Sequence, residues 1–123
     1  GKNVIAVREV YRRHGLEVER LHREPDDHLG LMLGFLSRLI AEEREALDAG
    51  EGQRAAALAG EGDAFLTEHV LPWLAPWRYA VERHARTGYY RGVGAFVFGL
   101  IACYAERFGI CFDGEARAFW RRK

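Results

Sequence analysis

Directly after Pro25 the chain carries an apolar stripe that commits it to a helix. Leu29, Met32, Leu33, Leu36, Leu39 and Ile40 recur at spacings of three and four, and Leu31 and Phe35 widen the stripe. A proline is tolerated at a helix start but not inside one, so this pattern predicts a helix from about Asp26 to about Asp48. A stripe this broad implies contact with more than one neighbouring helix. The segment ends in the charged run AEEREALD and a glycine turn.

Four further helical segments follow from the same periodicity. The first covers about Asn3 to Arg13, with Val4, Val7, Val10 and Tyr11 on one face, Asn3 as cap and Gly15 as a left-handed stop. Another covers about Gln53 to His69, where Gly60 and Gly62 predict a kink or a split, and Pro72 predicts a boundary. The next covers about Trp73 to Thr87, with Pro76 in its first turn and a start at Trp73 or Ala75. The last covers about Tyr89 to Phe108. Its large apolar face is Val93, Phe96, Val97, Leu100, Ile101 and Tyr104, and a second stripe of small residues runs through Gly92, Ala95, Gly99 and Ala102. No segment reads as a convincing strand, and the tail predicts one more short helix around Glu115 to Trp120. The fold class is all-α, a bundle of about five helices in a single domain over 1–123.

A length of 123 residues suits one core, and 49% apolar with 29% charged residues is ordinary for a globular protein. The formal net charge is zero, which argues against a generally basic nucleic-acid binder. The longest uncharged run, Gly92 to Ala105, is too short to cross a bilayer, which takes about 20 residues. The charged start GKNVIAVREVYRRHG leaves no apolar core for a signal peptide. Cys103 and Cys111 form no CxxC pair and read as reduced, partly buried thiols, consistent with a cytoplasmic location.

The motifs of common enzymes are missing. Ser37 is the single serine and lies mid-helix, there is no GxxxxGK[ST] phosphate loop, and no HExxH. His14 and His84 read as surface residues near helix ends. His22, Glu24, Asp27 and His28 are close in sequence but divided by a proline, which leaves a metal-binding bundle enzyme as an alternative reading, and a structural oligomerisation module as another. No cofactor is expected. The acidic cluster Glu24-Pro25-Asp26-Asp27-His28 has two readings. It caps the following helix, or its carboxylates face a ligand cationic at one end and apolar at the other. Trp73 and Trp77, four apart on one face, are either core or binding contacts. His69 stands four residues before Trp73.

Two stretches together resemble the redox-enzyme maturation chaperones of the TorD, DmsD and NarJ types. EPDDHLGLMLGFLSRL is similar to the family's E-P-x-D-H signature and its apolar helix. FLTEHVLPWLAPW is similar to the second signature, a F-L-x-x-H-L run followed by proline and tryptophan. TGYYRGVGAFVFGLIACYAERFG resembles the closing core helix, and the likeness covers about Tyr11 to Gly109. It implies an all-helical cytoplasmic chaperone without catalysis. Its partner would be the catalytic subunit of a molybdenum-containing oxidoreductase, bound through the twin-arginine signal peptide. On that pattern Pro25, Asp27 and His28 match the recognition loop, Glu24 and Asp26 add charge beside it, and His69, Pro72 and Trp73 match the second motif, with Trp77 nearby. Family members usually carry more helices before the first motif. The resemblance therefore implies the C-terminal portion of such a chaperone, exposed apolar surface, and a homodimer by pairing or helix exchange as one way to cover it.

Overall fold

The computed structural model of the chain describes residues 2–14, 29–85 and 87–123. The described residues are mostly helical: α1 (Lys2–Arg13), α2 (Leu29–Asp48), α3 (Gly52–Phe65), a π turn (Leu66–Val70), α4 (Leu71–His84) and α5 (Gly88–Glu106), followed by strands β1 (Ile110–Asp113) and β2 (Ala118–Arg121). α3, the π turn and α4 succeed one another without a break, so the five α-helices form four uninterrupted helical stretches. The chain divides into two compact units, Gly1–His69 and Val70–Lys123.

The first unit is a bundle of α1, α2 and α3. α2 buries Met32, Phe35, Leu36 and Leu39, the heart of the predicted stripe, while Ile40 at its edge stays partly exposed. Three rings from three helices meet at its centre. Tyr11 lies 5.1 Å from Phe35 and 6.2 Å from Phe65, and Phe35 and Phe65 are 4.7 Å apart at 60°. Such tilted contacts add about 0.5–1.5 kcal/mol per pair beyond the area they bury. α2 closes on a left-handed Gly50 (φ 75°), whose N–H donates to Leu47 O while that of Glu51 donates to Ala46 O. This paired closure satisfies two carbonyls and turns the chain directly into α3. α3 then buries Ala55, Leu58, Gly62 and Phe65 along one face. The kink expected at Gly60 and Gly62 is not there. The irregularity falls at Leu66–Val70 instead, next to Pro72.

The second unit packs α4, α5 and a hairpin. α5 approaches α4 closely at Gly94, where an added Cβ would come within 2.9 Å of Val81 Cγ1. Its buried residues, Gly94, Phe98, Ile101 and Ala105, correct the predicted face: Val93, Phe96 and Leu100 point outward, Phe96 70% and Leu100 60% exposed. The physical reason is that α5 is apolar around its whole circumference, so periodicity alone does not say which side packs. The tail is also corrected. Ile110 pairs antiparallel with Arg121 and Phe112 with Phe119, in place of the expected short helix. The Asp113 carboxylate accepts the N–H groups of Glu115 (2.9 Å) and Ala116 (3.2 Å), which shapes the turn, and Arg117 takes a left-handed φ of 53°. Phe98 from α5 packs edge-on against Phe112 at 4.9 Å and holds the hairpin to the helix. Cys103 is exposed rather than partly buried, and Cys111 is half-buried; both are free thiols.

Phe35→Ala should remove about 3–5 kcal/mol by emptying the meeting point of the three rings. Phe96→Ala, on the outward face of α5, should change stability by no more than about 0.5 kcal/mol. Urea denaturation followed by circular dichroism checks both.

Candidate functional site

Pro72 shapes the second motif from within. In an unbroken α-helix its ring would collide with the carbonyl of Glu68, and it offers no N–H. The chain widens into the π turn over Leu66–Val70, which contains Glu68, and Pro72 enters α4 in its first turn. The helix therefore continues where a boundary was expected, α4 starts at Leu71, and Pro76 lies inside it rather than in its first turn.

Burial runs through the turn without a gap. Before it the buried positions are Leu58, Gly62 and Phe65, within it Leu66, His69 and Val70, and after it Leu71, Leu74 and Ala75. Trp73 and Trp77 follow in α4, four residues apart and so on one face of it. Both are half-buried, with ring centroids 6.2 Å apart and planes at 86°. Trp77 Cη2 borders the glycine notch at Gly94, and Pro72 and Pro76 are exposed beside the pair. The tryptophans thus form one ledge with a packed side and an open side.

His69 stays inward, 9% exposed, with its ring 5.2 Å from that of Phe65 and Nε2 3.8 Å from the Glu68 carboxylate. Burial pushes its pKa below the usual 6.5, against the smaller opposing pull of Glu68. His14 is not the surface residue that its place near a helix end suggests. Its side chain is 11% exposed, edge-on to Phe35, with Nε2 against the Glu61 carboxylate and Nδ1 3.8 Å from that of Glu42. The two ring nitrogens face carboxylates on different helices, so α1 is tied to α2 and α3 by one side chain. His84 sits exposed in the last turn of α4, as read. Among the described residues no group of three or more His, Cys, Asp or Glu side chains is placed to hold a metal ion, and no helix is long and apolar enough to cross a membrane.

Glu24, Pro25, Asp26, Asp27 and His28 lie outside the described residues. Arg78, Val81, Glu82, Arg91 and Gly94, which sequence reading does not single out, line an open cleft of about 180 Å³ between α4 and α5, together with Ala95 of the small-residue stripe. That is below the ~300 Å³ at which small-molecule pockets begin. The Arg78 guanidinium lies 4.4 Å above the Phe98 ring, and that of Arg117 4.2 Å above Tyr79. A sequence clue existed only for spacing: Arg78 follows the tryptophan pair directly.

The profile of the family described as nitrate reductase delta subunit matches residues 1–78, a span containing both motifs. The chain belongs to this family of TorD- and NarJ-like chaperones. Relatives named chaperone protein TorD include that of Vibrio cholerae serotype O1, 29% identical over 101 residues, which is 82% of this chain and 44% of the relative. The protein of that name from Vibrio vulnificus is 33% identical over 79 residues, 64% of this chain and 35% of the relative. The chain spans less than half the length of the curated relatives it matches. No solved structure matches it significantly.

The depressed pKa of His69 makes stability depend on pH. Unfolded, this histidine takes up its proton near 6.5; folded, it does so at lower pH. The unfolded chain binds more protons in that window, so the contribution is complete above 6.5 and is lost on acidification towards the folded pKa. Urea midpoints at about pH 7.5 and about pH 5.5 should differ less in His69→Gln than in the parent protein.

Proposed function

We propose that this protein is a maturation chaperone for a molybdenum-containing oxidoreductase, without catalysis of its own. It would bind the client's twin-arginine signal peptide, or its apo-form, in the cytoplasm before cofactor insertion and export. Membership of the nitrate reductase delta subunit family carries this reading, together with relatives named chaperone protein TorD.

The chemistry of the two motifs supports it. A twin-arginine peptide presents guanidinium groups beside an apolar stretch. Glu24, Asp26 and Asp27 supply carboxylates, which take guanidinium groups through paired, charge-assisted hydrogen bonds. Pro25 starts the segment and His28 closes it. The half-open ledge of Trp73 and Trp77, with Pro72, suits the apolar part, since amphipathic aromatic side chains make strong contacts at low entropic cost. His69 is a positioning residue: buried in the π turn, it acts through the backbone that leads into Pro72 and Trp73.

Calorimetry against a panel of twin-arginine peptides tests the reading. At least one peptide should bind, and replacing its arginine pair by lysine should weaken binding by about tenfold or more, because lysine keeps the charge but loses the fork. Asp27→Asn with His28→Ala should lose affinity to a similar degree and leave the circular dichroism spectrum unchanged. Equal binding of the arginine and lysine peptides would remove the carboxylate clamp. If no peptide bound and client maturation were normal without the protein, the chaperone reading would fall.

A further inference from the structure

The net charge of zero conceals a division. Gly1–His69 holds nine basic and fourteen acidic residues, a net charge of −5, and Val70–Lys123 holds nine basic and four acidic, a net charge of +5. Within the basic unit three guanidinium groups gather around α4. Arg78 and Arg91 line one cleft from facing helices, α4 and α5. Gly94 lets those helices close, since a Cβ there would come within 2.9 Å of Val81 Cγ1. Arg78 lies 4.4 Å above the buried Phe98 ring and 5.9 Å from the Tyr79 ring. Arg117 lies 4.2 Å from that same Tyr79 ring. It holds a left-handed φ of 53°, where glycine is the easier residue, so its side chain stands there at a backbone cost. Among the described residues no ion pair joins any of the three to a carboxylate. A carboxylate partner would fix a guanidinium and cancel its charge. An aromatic face fixes Arg78 and Arg117 and leaves their charge whole.

We propose that Arg78, Arg91 and Arg117 bind the carboxylate side chains of an acidic peptide segment of a partner protein. The cleft is too small for a whole small molecule but admits one side chain. A carboxylate that enters between Arg78 and Arg91 takes charge-assisted hydrogen bonds from both helices. Glu82 also lines the cleft, so its two arginines leave a single positive charge, which one carboxylate balances. A phosphate group, with close to two negative charges, would overshoot it. The next carboxylate of the segment meets Arg117 beside Tyr79. The ligand is opposite in sign to a twin-arginine peptide, so the site stands or falls independently of the signal-peptide motifs.

The probe is a fluorescein-labelled peptide of alternating glutamate and glycine, about ten residues long, set against copies with glutamine or phosphoserine for every glutamate. Fluorescence anisotropy with the full chain should show the glutamate peptide binding about tenfold or more tightly than the glutamine copy, and more weakly as salt rises. Arg78→Gln with Arg91→Gln should weaken that binding by about tenfold, and Arg117→Gln by about threefold. Arg122→Gln with Lys123→Gln removes as much charge from the same unit but none from the cleft, and should change affinity by no more than about twofold. The circular dichroism spectrum should stay the same in every variant, since none of these side chains is buried. Equal affinity for the glutamate and glutamine peptides, or no binding of either, would overturn the proposal. So would a loss from the Arg122 and Lys123 change as large as that from the cleft pair, since the field of the whole unit would then do the binding. A phosphoserine copy that bound about tenfold more tightly than the glutamate peptide would overturn it in favour of a phosphorylated partner.

Discussion

Pro72 withholds one amide from a helix that otherwise runs on from Gly52 to His84, and the consequences extend well past that position. A proline in a helix interior costs about 3 kcal/mol when nothing yields. Here the backbone yields by widening one turn, so that Pro72 enters α4 in its first turn. His69, within the widened turn, packs on Phe65, while Trp73 and Trp77 stand half-buried in α4. π turns gather at functional positions in proteins generally. In this chain the turn lets the second motif, with both its prolines, run on as helix from His69 into Trp73 and Trp77.

The same turn shows why some of the fold was legible in the sequence and some was not. α1, α2 and α5 stand within a few residues of their expected spans, because strong periodicity and glycine stops leave little choice. At Pro72 and Pro76 a helix boundary was the natural reading, and the structure replaced it with a π turn and an internal proline, since buried Leu71, Leu74 and Ala75 hold the helix together across both. Apolar residues on every side of α5 carry no phase. The contact with Val81 at Gly94 chooses the inward side, and that choice is a tertiary fact. The hairpin is faint in the sequence although Asp113-Gly114 between Ile-Cys-Phe and Ala-Phe-Trp is a turn signal. Four-residue strands are too short for alternation to outweigh it, and what makes the hairpin hold is Phe98, which belongs to another element.

The candidate site divides similarly. The chemistry of Glu24, Asp26 and Asp27 is plain in the sequence, because acidic residues beside an apolar run can be read without coordinates. The environment of the histidines is not. His14 looked like a terminal surface residue and proves to be the tie between three helices, since Glu42 and Glu61 are distant in sequence and adjacent only in the fold. His69 stands in the sequence as a motif residue, and only the fold shows that it is buried beside Phe65. Spacing identifies which residues share a helix face, but whether that face meets solvent or a neighbouring helix depends on contacts made far along the chain.

Charge adds a level that neither spacing nor packing reveals. A neutral total is usually taken as a sign of unspecialised electrostatics, yet the neutrality here is the sum of an acidic unit and a basic one. Exposed charges interact over a Debye length of about 8 Å at physiological salt, so a ligand near one unit senses the local excess rather than the total. In the first unit that excess is acidic, the sign that a cationic peptide would meet at Glu24, Asp26 and Asp27, and the basic residues that cancel it in the total follow His69 in the chain.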